Sequence, residues 1–531
     1  MKKLPIGMQN FRKIVEDDYI YVDKTQHIYK LINVASSYFL SRPRRFGKSL
    51  LLDTIAEIFN GDKELFKNLW IYDSDYVFKK HPVIRLDMSN IANETPAAMK
   101  ESILSYLRTC YLSEKIEFTD NIASDAFRNL IYFLYGKYNE RVVVLIDEYD
   151  KPILDHINDI NTANGNRSVL GGFYGVLKSM DPYLRFVFIT GVSKFTKTSI
   201  FSGLNNLRDI TMSEDYADIC GISVDDIDMH FGDHIRQMST HKRFDNKRII
   251  DCILAWYDGY SWDGESRLLN PFSLLNFFSD KKFKRYWYAT GTPSFLIGMI
   301  KKKPESYLNL KNFEITEDML DTFEIEKIEL EPLLFQTGYL TVKKAAETLG
   351  TPLYTLDIPN YEVRDAFSTQ IVSALTESGD VRAGWAKMQI NAALESGDLQ
   401  KMLDILRGLF ASIPYQLHVS EEAYYHSIFY AIMTLLGFDM DVEVSSSRGR
   451  VDAVLELEDN VYVMEFKYEK CPLDADDSDK QTLVNKSLTA AMNQINDRGY
   501  CDKYIGSEKT IYKAAFAFLG RDVIEMNVEK I

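Results

Sequence analysis

Between residues 36 and 190 the chain alternates short apolar runs with stretches of helical period. The runs at 37–40, 82–87, 142–146 and 184–190 are short and mostly apolar and read as buried strands. Strands of this kind separated by helices build a parallel α/β sheet. Helical periodicity over 48–59 stops at Asn60-Gly61, a C-terminal stop signal, so a helix directly follows the first strand. Past residue 213 the strand signals fade, and aromatic-rich sequence of helical character runs to about 345, predicting a helical lid. A further helical segment over 363–409 leads to Ile413-Pro414, a plausible hinge. The pattern then restarts with a helix at 421–436, strands near 441–445, 451–457 and 461–466, a helix across 484–497 and a strand at 514–519. The predicted organisation is a core over 1–213, a lid over 214–345, a helical linker over 346–415 and a second, small α/β domain over 416–531.

The length of 531 residues is too great for one compact core, which agrees with several domains. Charge narrows the partners. Asp and Glu number 77 against 62 Lys and Arg, a formal net charge of -15, so no whole-molecule attraction draws the chain to DNA or an anionic membrane. Any nucleic-acid contact has to use a local basic patch; the runs at Lys281-Lys282-Phe283-Lys284-Arg285 and Lys301-Lys302-Lys303 read first as solvated faces. Lys2 and Lys3 precede Leu-Pro-Ile-Gly and polar sequence, not an apolar signal core, and no apolar run approaches about eighteen residues. A cytoplasmic protein without a membrane partner is expected. Five scattered cysteines with no C-x-x-C pair predict buried thiols in place of disulfides or a zinc site.

Between the first strand and the first helix lies Ser41-Arg42-Pro43-Arg44-Arg45-Phe46-Gly47-Lys48-Ser49. This is the setting of a phosphate-binding loop. Backbone N–H groups at a helix N-terminus favour phosphate oxygens, Lys48 can reach terminal phosphates, and the Ser49 hydroxyl can ligate magnesium. Arg42 stands where the pattern's first glycine is usual. A hundred residues on, the strand at 142–146 runs into Asp147-Glu148. Asp147 at a strand end can hold magnesium through its water shell, and Glu148 can orient or deprotonate an attacking water. The nucleotide-binding set is therefore Arg44, Arg45, Phe46, Gly47, Lys48, Ser49, Asp147 and Thr190, with Glu148 as the catalytic base. Arg44 and Arg45 either touch phosphate or cap the surface; Thr190 and Ser193 are placed to sense the terminal phosphate or simply end a strand.

A second constellation lies near the C-terminus. Gly449-Arg450-Val451-Asp452 opens one strand and Glu465-Phe466-Lys467 closes the next. Side chains alternate along a strand, so Glu465 and Lys467 share the face begun by Val461 and Val463, where charge is costly unless used. A hairpin can bring Asp452 beside them, giving two hard oxygen ligands for magnesium or manganese and a lysine to stabilise developing negative charge, a set suited to phosphodiester hydrolysis. Glu422, on the preceding helix, can add a ligand or a hydrogen bond. His426 reads as a packed helix histidine. The bland reading of Glu465 and Lys467 is a solvated strand pair with Asp452 at a turn.

Taken together, these residues resemble the bacterial AAA-ATPase-like proteins that carry a C-terminal nuclease domain of the PD-(D/E)xK superfamily. The resemblance rests on Tyr21-Val22-Asp23-Lys24-Thr25, the R-P-R-R-F-G-K-S run at 42–49, Asp147-Glu148-Tyr149-Asp150, Ser202-Gly203-Leu204-Asn205, Tyr257-Asp258-Gly259-Tyr260, Asn270-Pro271 and the tail signature. It implies a P-loop NTPase parallel sheet with a helical lid and a small restriction-endonuclease-like α/β domain. It also implies arginine at the first glycine position as a family feature, and Asp452, Glu465 and Lys467 as the metal-binding and catalytic trio with Glu422 on the first core helix. Gln494 falls where related nucleases place a helix glutamine, although the tyrosine often found four residues on is Arg498 here. The expected activity is an ATP-binding ATPase coupled to a nucleic-acid endonuclease, using ATP, Mg2+ and, at the nuclease site, Mg2+ or Mn2+. The alternative is a nucleotide-switched binding or scaffold protein with one or both sites inactive. ATP and nucleic acid are the expected partners, and assembly into a homo-oligomer stays open.

Overall fold

The computed structural model describes residues 1–194, 207–242, 245–287, 313–320, 329–348, 350–376, 379–411, 429, 433, 440–446, 449–471, 475–519 and 523–531. Glu422, His426, residues 202–205 and the lysines at 301–303 lie outside them. The chain divides into two compact units, Met1–Gly291 with Asn312–Asn360, and Tyr361–Ile531 together with 292–311.

The first unit is built on a five-stranded sheet: β1 (Ser37–Ser41), β2 (Val83–Asp87), β3 (Val142–Asp147), β4 (Leu184–Gly191) and the short β5 (Arg208–Asp209), in the order β2-β3-β4-β1-β5. Every pairing is parallel. Val142, Val143, Val144 and Ile146 are wholly buried, as strands covered on both faces require. Helix α1 (Lys48–Asn60) leaves β1 through the loop 42–47. Its two ends are fixed by left-handed glycines, Gly47 at φ +97° and Gly61 at φ +83°, conformations that cost an L side chain strain. Leu51, Leu52, Ile55, Ile58 and Phe59 bury its inner face.

Helices α2 (Val224–Lys242), α3 (Asn246–Tyr257) and α4 (Pro271–Asp280) follow, packing around Phe231, Ile253, Tyr257, Phe277 and Phe278. Beyond them the structure departs from the helical expectation. β6 (Phe313–Thr316), β7 (Thr341–Thr348) and β8 (Thr351–Asp357) form an antiparallel sheet in the order β6-β8-β7. The stretch Lys343-Lys344-Ala345-Ala346-Glu347 reads as helical by propensity. It is an exposed edge strand, so no face of it carries the alternation that marks a half-buried strand. Charged lysines on such an edge also discourage pairing with another chain.

The second unit carries helices α5 (Tyr361–Thr376), α6 (Gly379–Ser396) and α7 (Leu399–Phe410), then a five-stranded sheet. Its strands β9 (Met440–Ser446), β10 (Gly449–Glu456), β11 (Asn460–Glu469), β12 (Thr510–Leu519) and β13 (Val523–Lys530) are ordered β13-β12-β11-β10-β9. β11 and β12 are parallel and the other pairs antiparallel. The parallel pair needs a crossover, supplied by α8 (Asp477–Asp497), which starts at an Asp476–Asp479 capping box and buries Val484, Ser487, Ala491, Met492 and Ile495 on one stripe. Among the described residues no helix is long and apolar enough to cross a membrane.

Candidate functional site

A cavity of about 400 Å³ opens where β1 turns into α1. Arg44, Arg45, Gly47, Lys48, Ser49, Glu148 and Lys151 form its polar wall; Pro5, Ile6, Met8, Pro271, Phe272 and Leu275 form an apolar one. A smaller apolar cavity of about 100 Å³ adjoins it at Gly47, Leu50 and Cys220. Lys48 and Glu148 reach a common space although they lie a hundred residues apart, because β1 and β3 flank β4 and both end on the same edge of a parallel sheet.

The structure buries Lys48 to 5% exposure. Its Nζ donates to the carbonyl oxygens of Arg42 (2.7 Å) and Pro43 (3.0 Å), back across its own loop. Burial lowers its pKa, and the charges of Asp147, Glu148 and Asp150 oppose that fall. Asp147 accepts from Thr190 Oγ1 at 2.5 Å and from the Glu148 N–H at 3.1 Å. Thr190 is therefore fully buried behind the carboxylate, with its hydroxyl committed to Asp147. Burial raises the Glu148 carboxyl against the pull of Lys48. Glu148 sits at φ +50° and Arg45 at φ +65°, both left-handed. Non-glycine residues adopt that region at a cost of about 1–3 kcal/mol, and they cluster at functional sites.

The aromatic residues of the 216–340 region grip the loop at successive positions. The Arg42 guanidinium lies 4.0 Å from the Trp262 ring centre, and Arg45 lies 3.9 Å from that of Phe272. Phe46 is wholly buried, edge-on against Tyr260 and Trp262. Its side chain anchors the loop, so only its main chain faces a ligand position. The Arg44 carbonyl accepts from Trp287 Nε1 at 3.2 Å. A side chain at Gly338 (φ +90°) would strike Pro43. These lid contacts were illegible from the sequence, since stacking partners two hundred residues away leave no local pattern.

Asp150 closes the turn that follows β3. Its carboxylate accepts from the N–H groups of Val192 and Ser193, at 3.0 and 2.6 Å, tying the end of β4 to the turn after β3. Burial pushes it up to about 6. A third acidic residue in Asp147-Glu148-Tyr149-Asp150 was the available signal.

In the second unit, Asp452 lies one step from the Ala453–Met464 pair of β10 and β11, and its Oδ2 accepts from the Phe466 N–H at 2.8 Å. That bond holds Asp452 beside Glu465. Val461, Val463 and Ala491 pack in one core cluster, and Glu465 continues that face at 0% exposure. Lys467 Nζ donates to Glu465 Oε1 at 3.0 Å, while Glu465 Oε2 is buried without a hydrogen-bond partner. Burial, then the Asp452 charge, raises the Glu465 carboxyl to about 7, with Lys467 opposing. The solvated strand pair is thus not what the fold builds: the glutamate is internal. An orphaned carboxylate oxygen next to a second carboxylate is a donor set fitting a hard divalent cation. Among the described residues no group of three such ligands gathers; the expected third carboxylate, Glu422, lies outside them. Gln494 is half-buried on α8, which packs on β11 and β12.

Two family models match the chain: a predicted AAA-ATPase over residues 5–201, and the PD-(D/E)XK nuclease superfamily over residues 420–527. An uncharacterized protein in the vnfD 5'region of Azotobacter chroococcum mcd 1 is 36% identical over 539 residues, covering 100% of this chain and 99% of the relative. Among solved structures, the Aeropyrum pernix ORC2 protein in ADPNP-ADP complexes aligns over 68% of this chain and 99% of its own at 11% identity and a TM-score of 0.26. A likeness that low bears no weight on the fold, which the sheet order establishes by itself. Identity sustained along the whole length of the Azotobacter protein, with both domain models matched in order, places the chain in the family that joins a predicted AAA-ATPase domain to a C-terminal PD-(D/E)XK nuclease superfamily domain.

Proposed function

We propose that the chain is an ATPase that binds ATP in the 42–49 loop and cleaves phosphodiester bonds of nucleic acid at Asp452, Glu465 and Lys467. The observation that carries the first half is the lining of one cavity by Lys48, Ser49 and Glu148 together with the apolar Pro271, Phe272 and Leu275. A polyanion with a flat apolar head fits such a site: phosphates at the N–H groups of Gly47, Lys48 and Ser49, the base on the apolar side. Lys48 exchanges its loop carbonyls for phosphate oxygens. Glu148, raised by burial, takes the proton of the attacking water, and Thr190 holds Asp147 in place from behind. Ser49 and Asp147 would hold Mg2+, which supplies neutralisation of phosphate charge.

In the second unit Asp452 and Glu465 would hold Mg2+ or Mn2+, and the ion supplies charge neutralisation and a more acidic water when bound. Lys467 is the protein's own contribution, a cation beside the scissile phosphate that stabilises charge built up in the transition state. Glu422 is proposed as a further ligand on the family resemblance. The experiment is ATP turnover together with cleavage of duplex DNA, single-stranded DNA and RNA, with and without Mg2+ or Mn2+. Turnover and divalent-dependent cutting support the reading; a pure chain that binds ATP and cuts none of these leaves a nucleotide-switched binding protein instead.

A further inference from the structure

Arg42 is wholly buried, and nothing in the catalytic account uses it. One terminal nitrogen of its guanidinium donates to the carbonyls of Ser41 (2.8 Å) and Thr211 (2.9 Å), the other to those of Tyr216 (3.2 Å) and Ala217 (3.3 Å), with the Trp262 ring on its face. The Arg42 carbonyl meanwhile accepts from Lys48 Nζ at 2.7 Å. One residue therefore joins the phosphate-reaching lysine, through its main chain, to the 211–217 turn and the lid tryptophan, through its side chain. Neither Arg42 nor Trp262 lines the 400 Å³ cavity.

Glycine at this position in the common loop pattern supplies freedom of backbone shape. Here a guanidinium with four main-chain acceptors fixes that shape from outside the loop. Burying a cation among dipoles is costly, and burial lowers its pKa to about 10. Its loss would leave the four carbonyls short of a donor in a dry site.

Resting on the reading of the loop as a nucleotide site, we propose that Arg42 is a positioning residue that sets the loop for triphosphate binding through the 211–217 turn and Trp262. Arg42→Gly restores the common pattern, yet it weakens binding in place of improving it.

The test uses the full chain and equilibrium binding of fluorescently labelled ATP, with inorganic tripolyphosphate as competitor, well below the melting temperature of each variant. Arg42→Gly is expected to lose affinity for both probes by about tenfold or more. Arg42→Lys recovers part of the loss, and Trp262→Leu, which leaves every donor in place, shows a smaller loss in the same direction. Equal loss for tripolyphosphate locates the effect at the phosphates, which a disturbed base pocket would spare. Arg42→Gly within about twofold of wild type for either probe overturns the proposal. If Arg42→Gly does not fold, Trp262→Leu decides, and wild-type affinity there overturns it. A wild-type chain that binds neither probe overturns the nucleotide reading and this inference together; normal binding by Arg42→Gly beside a binding wild type overturns this inference alone.

Discussion

The two candidate sites bury charge in different settings, a loop with strained backbone and a regular strand pair. At the phosphate loop the buried charges are met by protein groups, Lys48 by loop carbonyls, Asp147 by Thr190, Asp150 by Val192 and Ser193 and the terminal nitrogens of Arg42 by four carbonyls, while Arg42 Nε and Arg45 Nη1 are buried without a hydrogen-bond partner. Its energy is stored in backbone conformation, in the left-handed Arg45 and Glu148. At the strand pair the backbone is regular, and the cost sits in one carboxylate oxygen of Glu465 with no hydrogen bond. At the second site, Lys467 meets one oxygen of Glu465 and the other is left without a hydrogen bond, the position a proposed divalent cation would fill.

The largest expected effect breaks the comparison at the second site. Asp452→Ala and Glu465→Ala should each lower divalent-dependent cleavage by at least about a thousandfold, since removing either leaves a charge-poor pocket. Lys467→Ala should slow cleavage by about a hundredfold while sparing cation affinity in calorimetry, because the lysine pairs with Glu465 and is no cation ligand. Parallel loss of cation binding would contradict that division. At the first site, Lys48→Met should weaken labelled-ATP binding by about a hundredfold. Wild-type affinity there would remove the loop from the account.

Smaller effects sharpen the contrast. Millimolar Mn2+ should raise the melting temperature of the second unit, by about 2.7 kcal/mol of stability at a hundredfold excess over the dissociation constant, and Glu465→Gln should abolish the rise. The smallest effect concerns pH. Asp150 is raised from 3.8 to about 6, so the folded chain keeps a proton that the unfolded chain releases. Its contribution is full below the unfolded pKa and is lost as pH rises through about 6. Asp150→Asn should therefore flatten the decline of the urea midpoint between about pH 4 and pH 6; identical slopes would show that Asp150 does not titrate in that window.

The contrast between the sites also explains what the sequence could convey. The strands β1, β3 and β4 of the first sheet were legible because burial makes them nearly continuous apolar runs, and the edge strand β2 was legible from Val83, Ile84 and Leu86. β11 was legible because two charges interrupt a valine face. β6, β7, β8 and β13 were not read: β6, β7 and β13 are edge strands and β8 between β6 and β7 starts exposed, so none of them carries a continuous buried run. The phosphate loop was legible as a contiguous string, Glu465 and Lys467 as neighbours by strand parity, and Asp452 as their companion by the hairpin. The clasp of the loop by Trp262, Phe272 and Trp287 was not, nor the commitment of Thr190 to Asp147, because each is a contact between distant segments that tertiary packing alone creates. Asn270-Pro271 was visible as a motif, but its task was not: Asn270 caps α4 through the N–H groups of Phe272 and Ser273, which brings Phe272 under Arg45.

The most direct test is a matched pair of assays on one purified variant, Glu465→Ala in the full chain: ATP turnover, and Mn2+-dependent cleavage of duplex DNA, single-stranded DNA and RNA. Two chemically separate sites predict cleavage lost on every substrate with ATP turnover retained at the wild-type rate. Cleavage at the wild-type rate in Glu465→Ala would contradict the account.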